Sequence, residues 1–378
     1  MAGITWIELR ELAGFRTQHG CAISLYVNLD PRAAPTAAEV ETRVNSQLDE
    51  ARRLAEERRA ALSHAERAGL RADVERIRGW FEDGFERDGI RGVALFAASL
   101  DNFWSVVALP RAVEDDVTIG GELHLAPLVA HADRDGALVA VVGRERGQIY
   151  GLLDDGLVPI ADETDEVPGR HDQGGWSQAR YERHIENIVG QHLREVAEAL
   201  DSCARRRRGL PIVLVGAEEI RSDFEELLAK ETLACVAGWT AVEAHADAAQ
   251  ILAAATPVLE RWCAAREEDV LERWREEAGR NGRAAAGWEE TLEAASDGRV
   301  ELLLVQAGVD QTAYQCPQCG RVQMHEGGCP LDGTTLEHRD DGVDLAVHQT
   351  LTYGGTVHVV RDRRDLEPVG GVAALLRF

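Results

Sequence analysis

The sequence predicts an α/β fold divided among three domains. Strand-sized apolar runs alternate with amphipathic helices along the whole chain, a pattern that requires sheets covered by helices. At 378 residues the chain also exceeds what one hydrophobic core organises. A third observation, a cluster of cysteines towards the C-terminal end, adds a small metal-stabilised insert to the last domain. The apolar share of 45% against 28% charged residues is that of an ordinary globular chain, so no long stretch lacks core-forming residues.

Taken in order, residues 21–29 read as a buried strand that Asp30-Pro31 ends, because proline has no amide donor and restricts the residue before it. Val40, Val44, Leu48, Leu54 and Leu62 recur at helical spacing, predicting one long helix over 37–67 with a solvated face. A helix near 70–80 and strands at 93–98 and 103–109, turned at Asp101 and Asn102, complete an N-terminal domain over 1–130. After a connecting stretch at 114–128, strands at 137–142 and 148–153 form a hairpin and open a middle domain over 131–279. It continues through a polar loop at 154–175 and a helix at 177–207 whose apolar face is Tyr181, Ile185, Ile188, Val189, Val196 and Leu200. A buried strand at 211–215 and helices at 218–229, 246–255 and 257–277 follow, and Gly279, Asn281 and Gly282 stop the last of them. The C-terminal domain, 280–378, holds a helix at 286–296, a strand at 300–305 and the cysteine insert at 314–335. A helix at 343–351, a strand at 356–360 and a closing apolar segment at 372–378 complete it.

Composition excludes several classes of function. Residues 1–10 alternate apolar and charged side chains and lack the basic and apolar stretches of a signal peptide, and no apolar run nears the roughly 20 residues of a membrane helix. A cytoplasmic protein without a membrane partner is expected. A net charge of −25 argues against a broad electrostatic grip on nucleic acid, so any RNA contact must be local. Lys230 is the single lysine beside forty arginines, a ratio that codon bias in the source genome explains. Cys21, Cys203, Cys235 and Cys263 are scattered and read as buried thiols in a reducing compartment.

Cys316-Pro317-Gln318-Cys319-Gly320 and Cys329-Pro330-Leu331-Asp332-Gly333 form two knuckle-like turns, with nine residues between Cys319 and Cys329. Such a turn wraps amides around a sulfur and aims two side chains at one point, as a tetrahedral site requires. Three thiolates favour zinc over calcium or magnesium. The spacing of Asp332 from Cys329 repeats that of Cys319 from Cys316, which makes Asp332 the expected fourth ligand, with His325 and His338 as alternatives. Four protein ligands leave no open coordination position, so the zinc is expected to be structural, and its loss to loosen the C-terminal domain alone.

A second informative stretch is Gly174-Gly175-Trp176-Ser177-Gln178, followed by Arg180. Adjacent glycines let one backbone approach another closely, and the helix that starts here presents free amides, which favour anions. Between Arg170 and Arg208 eight arginines face six acidic residues, a net of +2 inside a chain of −25. That local balance suits a polyanion. The structural alternative is a solvated helix capped by Ser177, with Arg205, Arg206, Arg207 and Arg208 complementing its dipole.

This loop resembles the hydrolytic loop of the bacterial relatives of the archaeal and eukaryotic class-1 peptide release factors. It is also similar to the Gly-x-x-Gln loop of the ribosome-quality-control peptidyl-tRNA hydrolases. The likeness continues in order along the chain. The strand Ile23-Ser24-Leu25-Tyr26-Val27 with Asp30-Pro31 looks like the opening of such proteins, the knuckles like the zinc insert of some C-terminal domains, and Val369 to Phe378 like their closing strand. The resemblance implies a middle domain with a ribonuclease-H-like mixed sheet and a C-terminal α/β domain like a ribosomal protein. It implies action at the ribosomal A site, with the tRNA acceptor end and ribosomal RNA as partners, and leaves open delivery by a translational GTPase.

The activity it implies is hydrolysis of the peptidyl-tRNA ester on stalled ribosomes. Gly174 and Gly175 would pack the loop against the acceptor end, Gln178 would orient a water, and Arg180, Arg183 and the Arg205–Arg208 run would hold phosphates. The alternative is a non-catalytic hibernation factor occupying the vacant A site, with Trp176 stacked on RNA. Two departures bear on this choice. The Asn-Ile-Lys-Ser stop-codon motif of the archaeal and eukaryotic factors is absent, which speaks against ordinary termination. Trp176 and Ser177 also stand between Gly175 and Gln178, where the strict triplet is Gly-Gly-Gln.

Overall fold

The computed structural model describes residues 4–60, 62–83, 85, 87, 89–132, 136–153, 156–163, 178–207, 209–243, 245–280, 282–361 and 363–378, with backbone alone at 153 and 178–185. Their contacts form two compact units, Met1–Arg134 with Asp269–Phe378, and Asp135–Glu268. The segments expected as N- and C-terminal domains thus share one unit.

That unit opens with helix α1 (Trp6–Ala13), absent from the expected elements, where Thr5 caps the Glu8 amide and the Glu8 carboxylate reaches back to the Thr5 amide. Strand β1 (Ala22–Asn28) follows. The helix expected over 37–67 is two helices, α2 (Ala37–Glu57) and α3 (His64–Glu82), and the latter takes in the one expected near 70–80. Ser63 and Glu66 make the same reciprocal capping pair and restart the helix there, although the apolar spacing runs on. Strands β2 (Gly92–Ala98) and β3 (Phe103–Leu109) turn at Asn102, in the left-handed region at φ 54°. The stretch expected as a connection holds strand β4 (Asp116–Gly120) and helix α4 (Ala126–Ala132). The four strands pair antiparallel in the order β3-β2-β1-β4. Alternation along β1 sends Ile23, Leu25 and Val27 against α2 and α3, and Ala22 and Tyr26 into a second core.

The other unit begins with the meander β5 (Ala137–Val142), β6 (Gly147–Leu153) and β7 (Gly156–Asp162), the last occupying the start of the expected loop. Helix α5 (Gln178–Arg206) and strand β8 (Ile212–Gly216) lie where the sequence predicts them. Short helices α6 (Arg221–Glu225) and α7 (Lys230–Leu233) lead to β9 (Val236–Thr240), and α8 (Ala248–Gly279) follows. The sheet order is β7-β6-β5-β8-β9, with β5, β8 and β9 parallel and β6 antiparallel to both neighbours. Leu138, Ala140 and Val142 pack under α5, while Val139 and Val141 meet the first turns of α8. Two helices were expected in place of α8, but Pro257 sits inside it. The turn there is held by the Thr256 hydroxyl donating to the Leu252 carbonyl at 2.8 Å and by burial of Val258 and Leu259.

From Asp269 the chain rejoins the first unit. It adds β10 (Ala284–Ala286), α9 (Trp288–Ser296), β11 (Val300–Gln306), then the insert strands β12 (Ala313–Gln315), β13 (Val322–Gln323) and β14 (Glu337–Arg339). Helix α10 (Gly342–Thr352), β15 (Thr356–Val360) and β16 (Val372–Leu376) complete it. The second sheet, β10-β16-β11-β15, is mixed, since β11 and β15 run parallel; the insert sheet, β13-β12-β14, is antiparallel. One hydrophobic cluster, with Tyr26, Phe96 and Leu128 from the first segment and Leu292, Leu303 and Leu345 from the second, joins the two. Among the described residues no helix is long and apolar enough to cross a membrane.

Candidate functional site

The two knuckles fold alike. In the first, the Gly320 amide donates to the Cys316 carbonyl at 2.9 Å and the Cys316 amide to the Arg321 carbonyl at 2.8 Å. In the second, Gly333 donates to Cys329 and Cys329 to Thr334, both at 2.8 Å. Each turn closes on a glycine in the left-handed region, Gly320 at φ 80° and Gly333 at φ 75°, where a side chain would strain the backbone. The strands beside them bring Cys316, Cys319, Cys329 and Asp332 together, with one ligand atom from each within 4.8 Å of all the others.

This donor set fits a tetrahedral metal. With metal–sulfur bonds of about 2.3 Å, the edge of a tetrahedron is about 3.8 Å. The Cys319 and Cys329 sulfurs are 3.5 Å apart, and the Cys316 sulfur lies 3.6 Å and 3.8 Å from the Asp332 carboxylate oxygens. The Thr334 amide, donating at 2.9 Å, holds the Asp332 carboxyl down at about 2, so it is an anion ready to ligate. Partial desolvation pushes the thiol of the otherwise exposed Cys319 up to about 11, with the neighbouring sulfurs adding to the rise. His325 and His338 lie elsewhere. His325 is exposed beside Glu289, and His338 rests edge-on against Tyr314.

The insert is fastened to the rest of its unit at several points that no sequence spacing announces. Arg16 donates to the Pro317 carbonyl at 2.8 Å, and Gln349, buried on α10, to the Gly320 carbonyl at 2.9 Å. Gln315, the residue before Cys316, donates to the buried Glu122 at 2.8 Å and accepts from Arg339 at 2.7 Å. Glu122 is 3.7 Å from Arg16 and 3.9 Å from the buried His348. Arg16 and Glu122 belong to the N-terminal segment, so the expectation that metal loss would loosen the C-terminal segment alone has to be widened.

A second cluster of metal-ligating residue types, His124, Asp341 and Asp344, is engaged in ion pairs and backbone hydrogen bonds. Asp344 accepts the Leu125 and Ala126 amides at 2.7 Å and 2.8 Å and lies 3.1 Å from His124, while Asp341 is held by Arg339. Burial alone would lower the His124 pKa, but the Asp344 charge, seconded by Asp116, outweighs it and raises it to about 9. Asp344 is correspondingly held at about 2 against its burial. The arrangement locks α4 to α10.

Of the residues singled out around the glycine loop, Gly174, Gly175, Trp176 and Arg208 lie outside the described residues, as do the side chains of Gln178, Arg180 and Arg183. Gln178 is the first residue of α5. Arg205 and Arg206 stand in its last turn with Arg207 after it. All three are exposed, and among the described residues no carboxylate pairs with them. The face of α5 turned to the sheet carries Val189, Leu193, Val196, Ala197 and Leu200.

Residues 124–260 match Bacterial archaeo-eukaryotic release factor family 10. Among curated proteins, the chain is similar to peptide chain release factor subunit 1 of Archaeoglobus fulgidus, 27% identical over 262 residues that cover 63% of this chain and 64% of that protein. It is similar also to the same subunit of Methanopyrus kandleri, 27% identical over 208 residues covering 53% and 50%. The matched part is therefore between half and two thirds of the length of these relatives. Among solved structures it is similar to the archaeal translation termination factor aRF1, at 16% identity and a TM-score of 0.29, covering 100% of this chain and 99% of that one. The segment matched by that family, 124–260, includes the glycine loop and α5.

Proposed function

We propose that this protein enters the ribosomal A site and hydrolyses the peptidyl-tRNA ester on stalled ribosomes. The observation that carries this reading is the family match over 124–260, the segment that holds both the glycine loop and α5. The exposed Arg205, Arg206 and Arg207 support it, because they give an acidic chain one local grip on phosphate. In this reading Gly174 and Gly175 let the loop pack against the tRNA acceptor end, Gln178 orients the attacking water, and Arg180 and Arg183 hold phosphates of tRNA or ribosomal RNA. Orientation and exclusion of bulk water lower the barrier, and no side chain acts as a strong base. The order β7-β6-β5-β8-β9, with β6 antiparallel to its neighbours, supports a ribonuclease-H-like middle domain. The division into 1–130, 131–279 and 280–378, a ribosomal-protein-like C-terminal domain, a cytoplasmic location and delivery by a translational GTPase belong to the same proposal.

The second reading, occupation of the vacant A site of idle ribosomes without catalysis, is favoured by Trp176 and Ser177 separating Gly175 from Gln178. Single-turnover release of labelled peptide from stalled ribosomes at saturating protein separates the two. Wild-type protein is expected to release peptide. Gln178→Ala should bind equally and release about a hundredfold more slowly, the effect of losing an oriented polar group worth about 3 kcal/mol. Wild-type protein that binds yet releases nothing above background would leave hibernation as the function.

For the insert we propose one structural zinc per chain, held by Cys316, Cys319, Cys329 and Asp332, on the strength of three soft sulfurs and a carboxylate at tetrahedral spacing. Elemental analysis of freshly purified, reduced protein should find close to one zinc, and protein without bound metal would reject the assignment.

A further inference from the structure

Cys319 and Cys329 differ from the other two residues of the insert. Their sulfurs are 3.5 Å apart, and Cys319 is exposed. Cys316 is wholly buried, receives the Cys319 amide at 3.4 Å and faces the Asp332 carboxylate. The Cys319 sulfur is therefore reachable from solvent, with the buried Cys329 sulfur adjacent to it. The third sulfur is shielded, and a carboxylate stands where a fourth thiol would give it an equivalent partner.

We propose that the insert is a two-electron thiol switch that responds to hydroperoxides, in which Cys319 and Cys329 form a disulfide and the metal is released. The inference rests on the zinc reading of the same residues. The Cys319 thiolate attacks one peroxide oxygen, the O–O bond breaks, and hydroxide leaves a sulfenic acid behind. The Cys329 thiolate then attacks that sulfur, the S–S bond forms, the S–O bond breaks, and a second hydroxide leaves. The two hydroxides take up two protons as water. The thiol pair loses two electrons and the peroxide gains them. Closure draws the sulfurs from 3.5 Å to about 2.05 Å. One thiolate and one carboxylate then remain, half of a tetrahedral donor set. A knuckle pair built from four cysteines would retain two thiolates after the same reaction.

Cys319 lies between the two anchored carbonyls of its knuckle, Pro317 held by Arg16 and Gly320 held by Gln349. Movement of its sulfur towards Cys329 therefore pulls on both anchors.

The test uses the full-length, zinc-loaded protein with a small excess of hydrogen peroxide. A chromogenic chelator follows free zinc, and differential alkylation with peptide mass spectrometry follows the thiols. Zinc should appear in step with a Cys319–Cys329 disulfide while Cys316 remains alkylatable, and dithiothreitol with added zinc should restore the starting state. A Cys316–Cys319 disulfide, or over-oxidation without any disulfide, would overturn the pairing. Zinc retained with all three thiols intact would overturn the switch and leave the zinc reading standing. Protein that carries no zinc before peroxide would overturn the zinc reading, and the disulfide map alone would then decide the pairing.

Discussion

Asp344 accepts two backbone amides and faces an imidazolium, so replacing it with asparagine keeps an acceptor for the amides but leaves the buried imidazolium without its countercharge. Asp344→Asn should cost about 3 kcal/mol in a urea titration, as expected when one partner of a buried ion pair is lost. The pH dependence has a definite sign. His124 titrates near 6.5 in the unfolded chain and about 9 in the folded one, so its contribution is full below 6.5 and disappears as pH rises through 9. Urea midpoints of the wild type should fall across that interval, and those of Asp344→Asn should be nearly flat there. His131 behaves oppositely. Burial, helped by Arg111 and Arg361, lowers it to about 4, so its contribution is present above 6.5 and is lost as pH falls through 4. Neither histidine was legible in the sequence as anything but a polar residue. Leu125 and Asp344 are 219 residues apart, and no local periodicity records a partner at that distance. The cysteines were legible because their chemistry is written into a short spacing, and the choice of Asp332 over His325 and His338 followed from the same repeat.

Helix α5 offers a measurable test through its last turn. Replacing Arg205, Arg206 and Arg207 with glutamine should weaken ribosome or tRNA association and reduce the log–log salt slope by about 0.7 to 0.9 for each phosphate no longer neutralised. Unchanged binding across a salt series would return the run to a role at the helix dipole. The length of α5 was legible from its strong 3.6-residue period, and so were β1, β2, β5, β8 and β15, whose apolar runs are compact. The division between α2 and α3 was written in Ser63 and Glu66 but hidden by an apolar spacing that continues across it. Strand β4 and helix α4 escaped because five and seven residues are too few to establish a period. Helix α8 shows the reverse error, where Pro257 looked like a stop and tertiary burial carried the helix through it.

Metal removal should be felt beyond the insert. With Arg16 bonded to Pro317 and Glu122 to Gln315, chelation should raise amide exchange in residues 14–18 and 121–125 as well as 313–339. Residues 137–153 and 186–243 should be unchanged, since they belong to the other unit. Uniform exchange changes in both units would refute this. The two ends of the chain are joined again where Arg10 donates to the Gly355 carbonyl at 3.2 Å. A unit assembled from both ends of a chain has a consequence for its synthesis. Residues 135–268 are contiguous and can close their core as soon as they emerge, whereas the inner face of β1 and β2, with Tyr26 and Phe96, waits for partners translated more than 150 residues later. During that interval an apolar sheet surface is open to any chain nearby, so the earlier-made part of this unit is protected late and exposes a nascent copy to aggregation there.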